Sequence, residues 1–172
     1  MRPVVVLAAL LPALCWAESA DRGKPTQIEA NRMSADDARR MNIFEGNVVL
    51  SRGTTTIRAE RIVVRQDAEG NQFATATGSP VRFRQRQDPK PPQTEGVWLD
   101  GEARRIEIDD KAGKVEMFED ARVKRGGDEV AGNYIFVDQR SDFFTVRANP
   151  GSKDAGTEGR VRATLQPKTQ DK

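Results

Sequence analysis

The chain has 172 residues, enough for one domain and short for two. Its 28 Lys+Arg and 26 Asp+Glu nearly cancel, which excludes the one-sided basic surface of a general nucleic-acid binder. There is no His and a single Cys, so the usual neutral-pH base and any thiolate or imidazole metal cage are excluded as well.

Residues 1–17, MRPVVVLAALLPALCWA, have a basic start, an apolar run from Val4 to Leu14 and small Ala17 ahead of polar Glu18. That is the layout of a cleavable export signal, and the run is too short to span a bilayer as a helix. Cys15 follows Leu14 rather than a small residue, which argues against lipidation. Cleavage after Ala17 removes Arg2 and no acid, leaving a charge of +1 and a chain free of cysteine, hence of disulfides. Residues 18–25 read as a linker.

From there one unit recurs four times: a small residue, two positions, an aliphatic, one position, then a second small or aliphatic residue. The copies are Ala30 to Ala35, Ala59 to Val64, Ala103 to Ile108 and Gly132 to Val137. The middle spacing exceeds its neighbours, and the polar stretch at about 84–96, an inserted loop, supplies the excess. Each copy runs into a turn rich in Asp and Gly: Asp36-Asp37, Asp67 to Gly70, Asp109 to Gly113 and Asp138 to Asp142. A second strand with period-two alternation follows each turn. Met41, Ile43, Glu45, Asn47 and Val49 are predicted to share a face, as are Phe73, Thr75, Thr77, Ser79, Val81 and Phe83. The third set is Val115, Met117, Glu119, Ala121 and Val123, and the fourth Phe144 with Val146.

In the first strand of each unit the apolar positions step by two, three and two, as in Ile57, Ala59, Ile62 and Val64. A step of three changes face, so a bulge or corner is predicted at Glu60-Arg61 and at 31–32, 104–105 and 133–134. Only ADDARRM has helical spacing, and it is too short to stand alone. Gly151–Gly159 reads as a mobile link before a last strand, Arg160–Gln166, and 168–172 as a tail. The predicted fold is all-β, an open, twisted β-roll or β-jellyroll of stacked antiparallel hairpins over 26–167, since no hairpin buries its own apolar face. Its two open edges, near Gln27–Met33 and Arg160–Gln166, invite strand addition.

The recurring hairpin, the stretch IFEGNVVLSRGTTTIRAERIVV and the closing GRVRATLQP resemble the LptA family, periplasmic lipopolysaccharide transport proteins with an OstA-like domain. The likeness runs from about Thr26 to Pro167. It implies an open jellyroll in the periplasm whose trough shields lipid A acyl chains and whose edges join head to tail. The implied partners are further copies, an LptC-like inner-membrane protein and an LptD-like outer-membrane protein. Carried over by position, Thr26, Ile28, Phe83, Ile106 and Ile108 are the expected lipid contacts. Ile43, Val49, Met117 and Val123, on the second strands, would complete the lining. A lining residue and a core residue look alike in sequence, so both readings stand for each.

No catalysis and no cofactor are expected. Glu45 and Glu119 occupy matching places and, as a pair, suit acid–base work, but a carboxylate alone on a strand fits an Arg partner as well. Asp36-Asp37 and Asp109-Asp110 offer too few oxygens for calcium beyond their turn role. Arg82, Arg84 and Arg86 alternate with Val81, Phe83 and Gln85 and point outward, toward lipid phosphates or simply solvent. An LptC-like partner, a secreted solenoid enzyme on polysaccharide and an assembly module without lipid are the competing readings.

Overall fold

In the computed structural model, which describes residues 21, 23–87, 89, 95–141, 143–148 and 160–167, the repeat becomes a single antiparallel sheet. The expected signal, half of the linker, residues 88 and 90–94 of the expected inserted loop, the 151–159 link and the tail lie outside the described residues. Six long strands lie side by side in chain order: β3 (Met41–Arg52), β4 (Thr55–Gln66), β5 (Gln72–Arg86), β6 (Trp98–Asp109), β7 (Lys114–Arg125) and β8 (Asp128–Asp138). Each edge is a broken strand. β1 (Gln27–Glu29) and β2 (Arg32–Asp36) share the flank of β3, while β9 (Phe143–Arg147) and β10 (Arg162–Thr164) share that of β8. β5 takes Arg84, Gln85 and Arg86 from the expected inserted loop.

The four Asp turns use one device. The side chain of the leading Asp accepts a backbone N–H within the turn: Arg39 N–H on Asp36, Glu69 and Asn71 on Asp67, Ala112 on Asp109, and Arg140 and Ser141 on Asp138. Such bonds favour the ionised form. Asp67 and Asp138 are accordingly held below the usual carboxylate range, the first chiefly by the Asn71 side chain and the second by the Arg140 backbone.

The predicted corner crosses the whole sheet. Registers slip between Glu45 and Val48, Arg58 and Arg61, Thr77 and Val81, Glu102 and Arg105, and Phe118 and Ala121. The split between β1 and β2 continues the same line. These breaks fall within about a residue of the positions read from the step of three. Along the line the sheet doubles over, so its two halves face each other. The front layer holds β1, β10 and the segments 48–59, 81–86, 98–103 and 121–132. The back layer holds β2, β9 and 41–45, 61–66, 72–77, 105–109, 114–118 and 134–138.

Small residues at the start of each repeat now have a reason. Ala59, Ala103 and Gly132 sit at the register breaks that mark the fold line. A Cβ on Gly132 would lie 2.7 Å from Val146 Cγ1 and 2.8 Å from the Arg147 carbonyl. On β3 and β7 the corner is turned differently, by left-handed pairs at Gly46-Asn47 (φ 79° and 48°) and Glu119-Asp120 (φ 63° and 53°). Two extra residues leave the alternation intact, so one parity faces inward along all of β3 and β7. On β4, β5, β6 and β8 the parity switches at the corner.

This corrects two predicted faces. The inward set of β3 is Phe44, Val48 and Leu50, which pack in the core; Ile43 and Val49 stand on the opposite face by strand alternation. Both sets are apolar, so period alone had nothing with which to choose between them. In β5 the residues Gly78-Ser79-Pro80 switch the parity, and buried Ala76, rather than Thr75 or Thr77, shares the core with Val81 and Phe83. Between the layers, Ile57, Ile62, Val81, Ile106, Met117 and Ile135 are all but fully buried.

Candidate functional site

The space between the layers is filled in the middle and open at both ends. In the middle, Phe83 and Gly101 of the front layer meet Met117 of the back. A Cβ on Gly101 would lie 2.9 Å from Met117 Cε, the flexible end of that side chain, so the layers pack closely there. Toward the β1 edge they part to leave a cavity of about 230 Å³. Ile28, Leu50 and Ile57 line it from the front, and Phe44, Val64, Ala74 and Ile108 from the back, with Thr26 at the rim. Toward the β10 edge lies a second cavity of about 250 Å³, with Leu99, Val123 and Val130 facing Ile135, Val137 and Phe144, and Leu165 over the opening. Each is somewhat smaller than a pocket that engulfs a drug-sized ligand, roughly 300–1,000 Å³. Each has the volume of a chain end rather than of a whole drug-sized molecule.

The nine expected contacts therefore divide. Thr26, Ile28 and Ile108 line the first mouth and Val123 the second. Phe83, Ile106 and Met117 form the packed middle. Ile43 and Val49 lie on the outer face, away from both mouths, because the inward parity of β3 is even-numbered. Phe44, Leu50, Val130 and Leu165 are lining residues that the sequence pattern did not single out; Val64, Val137 and Phe144 stood on its apolar positions but were not among the expected contacts. Fixing the parity of β3 from the Gly46-Asn47 bulge would have found the first two.

Two polar contacts join the lips of the layers. Arg52, at the end of β3, donates from both terminal nitrogens to the two carboxylate oxygens of Asp110 at 2.5 and 2.6 Å. Among the described residues they are the two charged ones in the lining of the first cavity. The hydrogen bonds that Arg52 donates to Asp110 raise its pKa above the ordinary value; partial burial opposes this, and the charges of Asp110 and Asp21 add to it. Farther along, the Gln139 side-chain amide donates to Oε1 of buried Gln85 at 3.1 Å.

The outer faces differ from each other. Over the front layer the strands carry ions: Arg58 opposite Arg82, Arg84 against Asp100 and 4.4 Å over the Trp98 ring, and Arg122 between Glu102 and Glu129. Over the back layer runs a stack in which Arg105 lies 4.1 Å over Phe118, Phe118 5.2 Å from Tyr134, and Arg147 5.5 Å over Tyr134. The Tyr134 hydroxyl donates to Glu116 at 2.5 Å, and its pKa is pushed up to about 12, first by desolvation and then by that carboxylate. Glu45 lies between Arg61 and Arg32, 3.4 and 3.9 Å away, which satisfies the structural reading of that carboxylate.

Among the described residues, the strands at both ends of the sheet have no partner on their outer side, and apolar side chains stand exposed beside them: Met33 near one end, Phe143, Phe144 and Leu165 near the other.

Residues 27–143 match the family described as the LptA/(LptD N-terminal domain) LPS transport protein. The lipopolysaccharide export system protein LptH of Pseudomonas aeruginosa is 24% identical over 162 residues, covering 94% of this chain and 90% of that one. LptA of Escherichia coli K12 is 34% identical over 85 residues, 48% of this chain and 45% of the relative. LptA of Haemophilus influenzae is 25% identical over 160 residues, 91% of this chain and 88% of the relative. Among solved structures, the crystal structure of LptH from Pseudomonas aeruginosa, titled the LptA-homologous periplasmic component of the lipopolysaccharide transport device, superposes with a TM-score of 0.73. The identity is 22%, with 86% of this chain and 99% of that one covered. This likeness shows the open, jellyroll-like all-β fold.

Proposed function

Since the chain belongs to the LptA/(LptD N-terminal domain) family of LPS transport proteins, we propose that it carries lipopolysaccharide through the periplasm by sheltering the lipid A acyl chains between its two layers. One observation carries this reading: the sheet doubles over without closing and leaves an apolar mouth at each end. Burying a methylene is worth about 0.8 kcal/mol, so even part of an acyl chain in a mouth gains several kcal/mol over water. Thr26, Ile28, Ile108 and Val123 would touch the chains in the resting form. Phe83, Ile106 and Met117 would touch them once the layers spread. No catalytic residue is required, because the chain shields its cargo and changes no bond in it. Export by the signal at residues 1–17 would place it in the periplasm.

The test is photocrosslinking to lipopolysaccharide. A photoreactive residue at Ile28 or Val123 is expected to give an adduct, and one at outward Ile43 is expected to give none. Adducts at all three, or only at 43, would move the lipid path out of the trough. An assembly module that takes no lipid would give none at any position.

The open edges supply the second half of the proposal. The β9–β10 edge of one copy would add to the β1–β2 edge of the next, and the end copies would meet an LptC-like and an LptD-like jellyroll in the same way. A head-to-tail contact does not close, so it builds rods. Light scattering is expected to show particles that lengthen with concentration, and deletion of 160–172 to abolish them. Unchanged rods after the deletion would assign the contact to another surface.

A further inference from the structure

Among the described residues, the first mouth pairs an apolar cavity with one lining cation, Arg52. Arg52 and Asp110 are separated by 58 positions in sequence and come from opposite layers, yet they meet in a two-bond, side-by-side geometry. Both are partly exposed, at 22% and 33% of their side chains, so the pair opens to solvent as well as to the cavity. The planar guanidinium fork matches a phosphate as well as it matches a carboxylate, and the two are interchangeable partners. The apolar walls begin directly behind it, with Leu50 on the strand of Arg52 and Ile108 two positions before Asp110.

We infer that Arg52 is a phosphate receptor at the entrance of the first mouth, occupied by Asp110 until a lipid with a phosphorylated headgroup enters and takes its place. The inference rests on the transport reading above and adds to it the residue that recognises the head while the cavity receives the tail. The exchange breaks no covalent bond: the guanidinium keeps both hydrogen bonds and changes acceptor, and Asp110, at the tip of the β6–β7 turn, turns to solvent. Releasing the pair also unfastens the lips, so recognition of the head and admission of the chain occur together. An amphiphile without an anion has no means of releasing Asp110 and must enter against the closed pair.

The experiment measures the affinity of the full chain for an acylated glucosamine disaccharide with its phosphates and for the same lipid stripped of them. The quantity read is the ratio of the two affinities. The wild-type protein is expected to favour the phosphorylated lipid. Arg52→Gln should lower that preference by about tenfold to a hundredfold, the range for losing charged hydrogen bonds. Asp110→Asn, which removes the competitor, should raise it. A lip fastening without recognition would shift both affinities together and leave the ratio unmoved, so an unmoved ratio in folded Arg52→Gln overturns the inference. Thermal melting of each variant confirms the fold. Equal capture of both lipids by the wild type would leave the transport reading standing and sink this one; capture of neither would sink both. Inorganic phosphate that displaces the phosphorylated lipid at concentrations near the lipid's own would assign the site to free phosphate and refute the lipid receptor.

Discussion

Ile106 and Ile108 stand two positions apart on the same face of β6, yet one is fully buried and the other borders a cavity. The rows they belong to explain the difference. Ile106 lies in the row Phe44, Ile62, Ala76, Ile106, Met117 and Ile135, one step from the fold line, where the layers converge. Ile108 lies one row farther out with Asn42, Val64 and Ala74, where the layers have begun to part and the opposite lip ends in Thr55 and Arg52. The same residue type is core in one row and wall in the next. Distance from the corner acts together with distance from the middle strands: Val115, in the row of Ile108 but on β7, is buried, while Phe44, in the row of Ile106 but on β3, borders the first cavity.

The sharpest way to break this comparison is to truncate both kinds of position. Ile106→Ala is expected to cost about 2–5 kcal/mol, since the surrounding middle has little room to collapse. Ile28→Ala, at a half-buried wall, should cost less than about 1 kcal/mol. Denaturant midpoints compare the two. Equal losses would mean that the mouth is packed as tightly as the middle in solution. A smaller effect is expected from filling the space instead. Ala74→Leu places three more carbons against the first cavity and should leave the melting midpoint within a few degrees of wild type. It should nonetheless weaken the lipid adduct at Ile28. Overpacking that unfolds the chain would show that the cavity closes up in solution; an undiminished adduct would show that the chains bypass it.

Much of the fold was legible because it is local. The Asp turns are written in the residues that make them, each Asp bonding N–H groups two to four positions ahead. The corner was legible in the step from Ala59 to Ile62 and from Ala103 to Ile106. The facing of β3 was not, since Ile43 and Val49 are as apolar as Phe44 and Val48 and differ only in which layer they look toward. In β5 the three residues 78–80 shift the parity without any apolar residue to mark it. Among the residues that line the mouths, Val123 followed from the parity of its strand and Ile28 and Ile108 from the family resemblance, whereas Ile43 and Val49 fell on the outer face of β3.

The sequence by itself determined the class of the molecule. Four copies of a strand–turn–strand unit, none able to bury its own apolar face, require antiparallel neighbours and a sheet that turns back on itself. It likewise determined the line of the turn, because a change of parity in successive strands is a backbone property carried by nearby residues. What lies across the gap was decided by the tertiary structure alone. That Gly101 leaves room for Met117, that the middle is closed and the ends open, and that Arg52 finds Asp110 all depend on residues brought together only after the layers fold. Short-range backbone preferences are encoded within a few positions, whereas contact between layers depends on the angle at which the whole sheet doubles over.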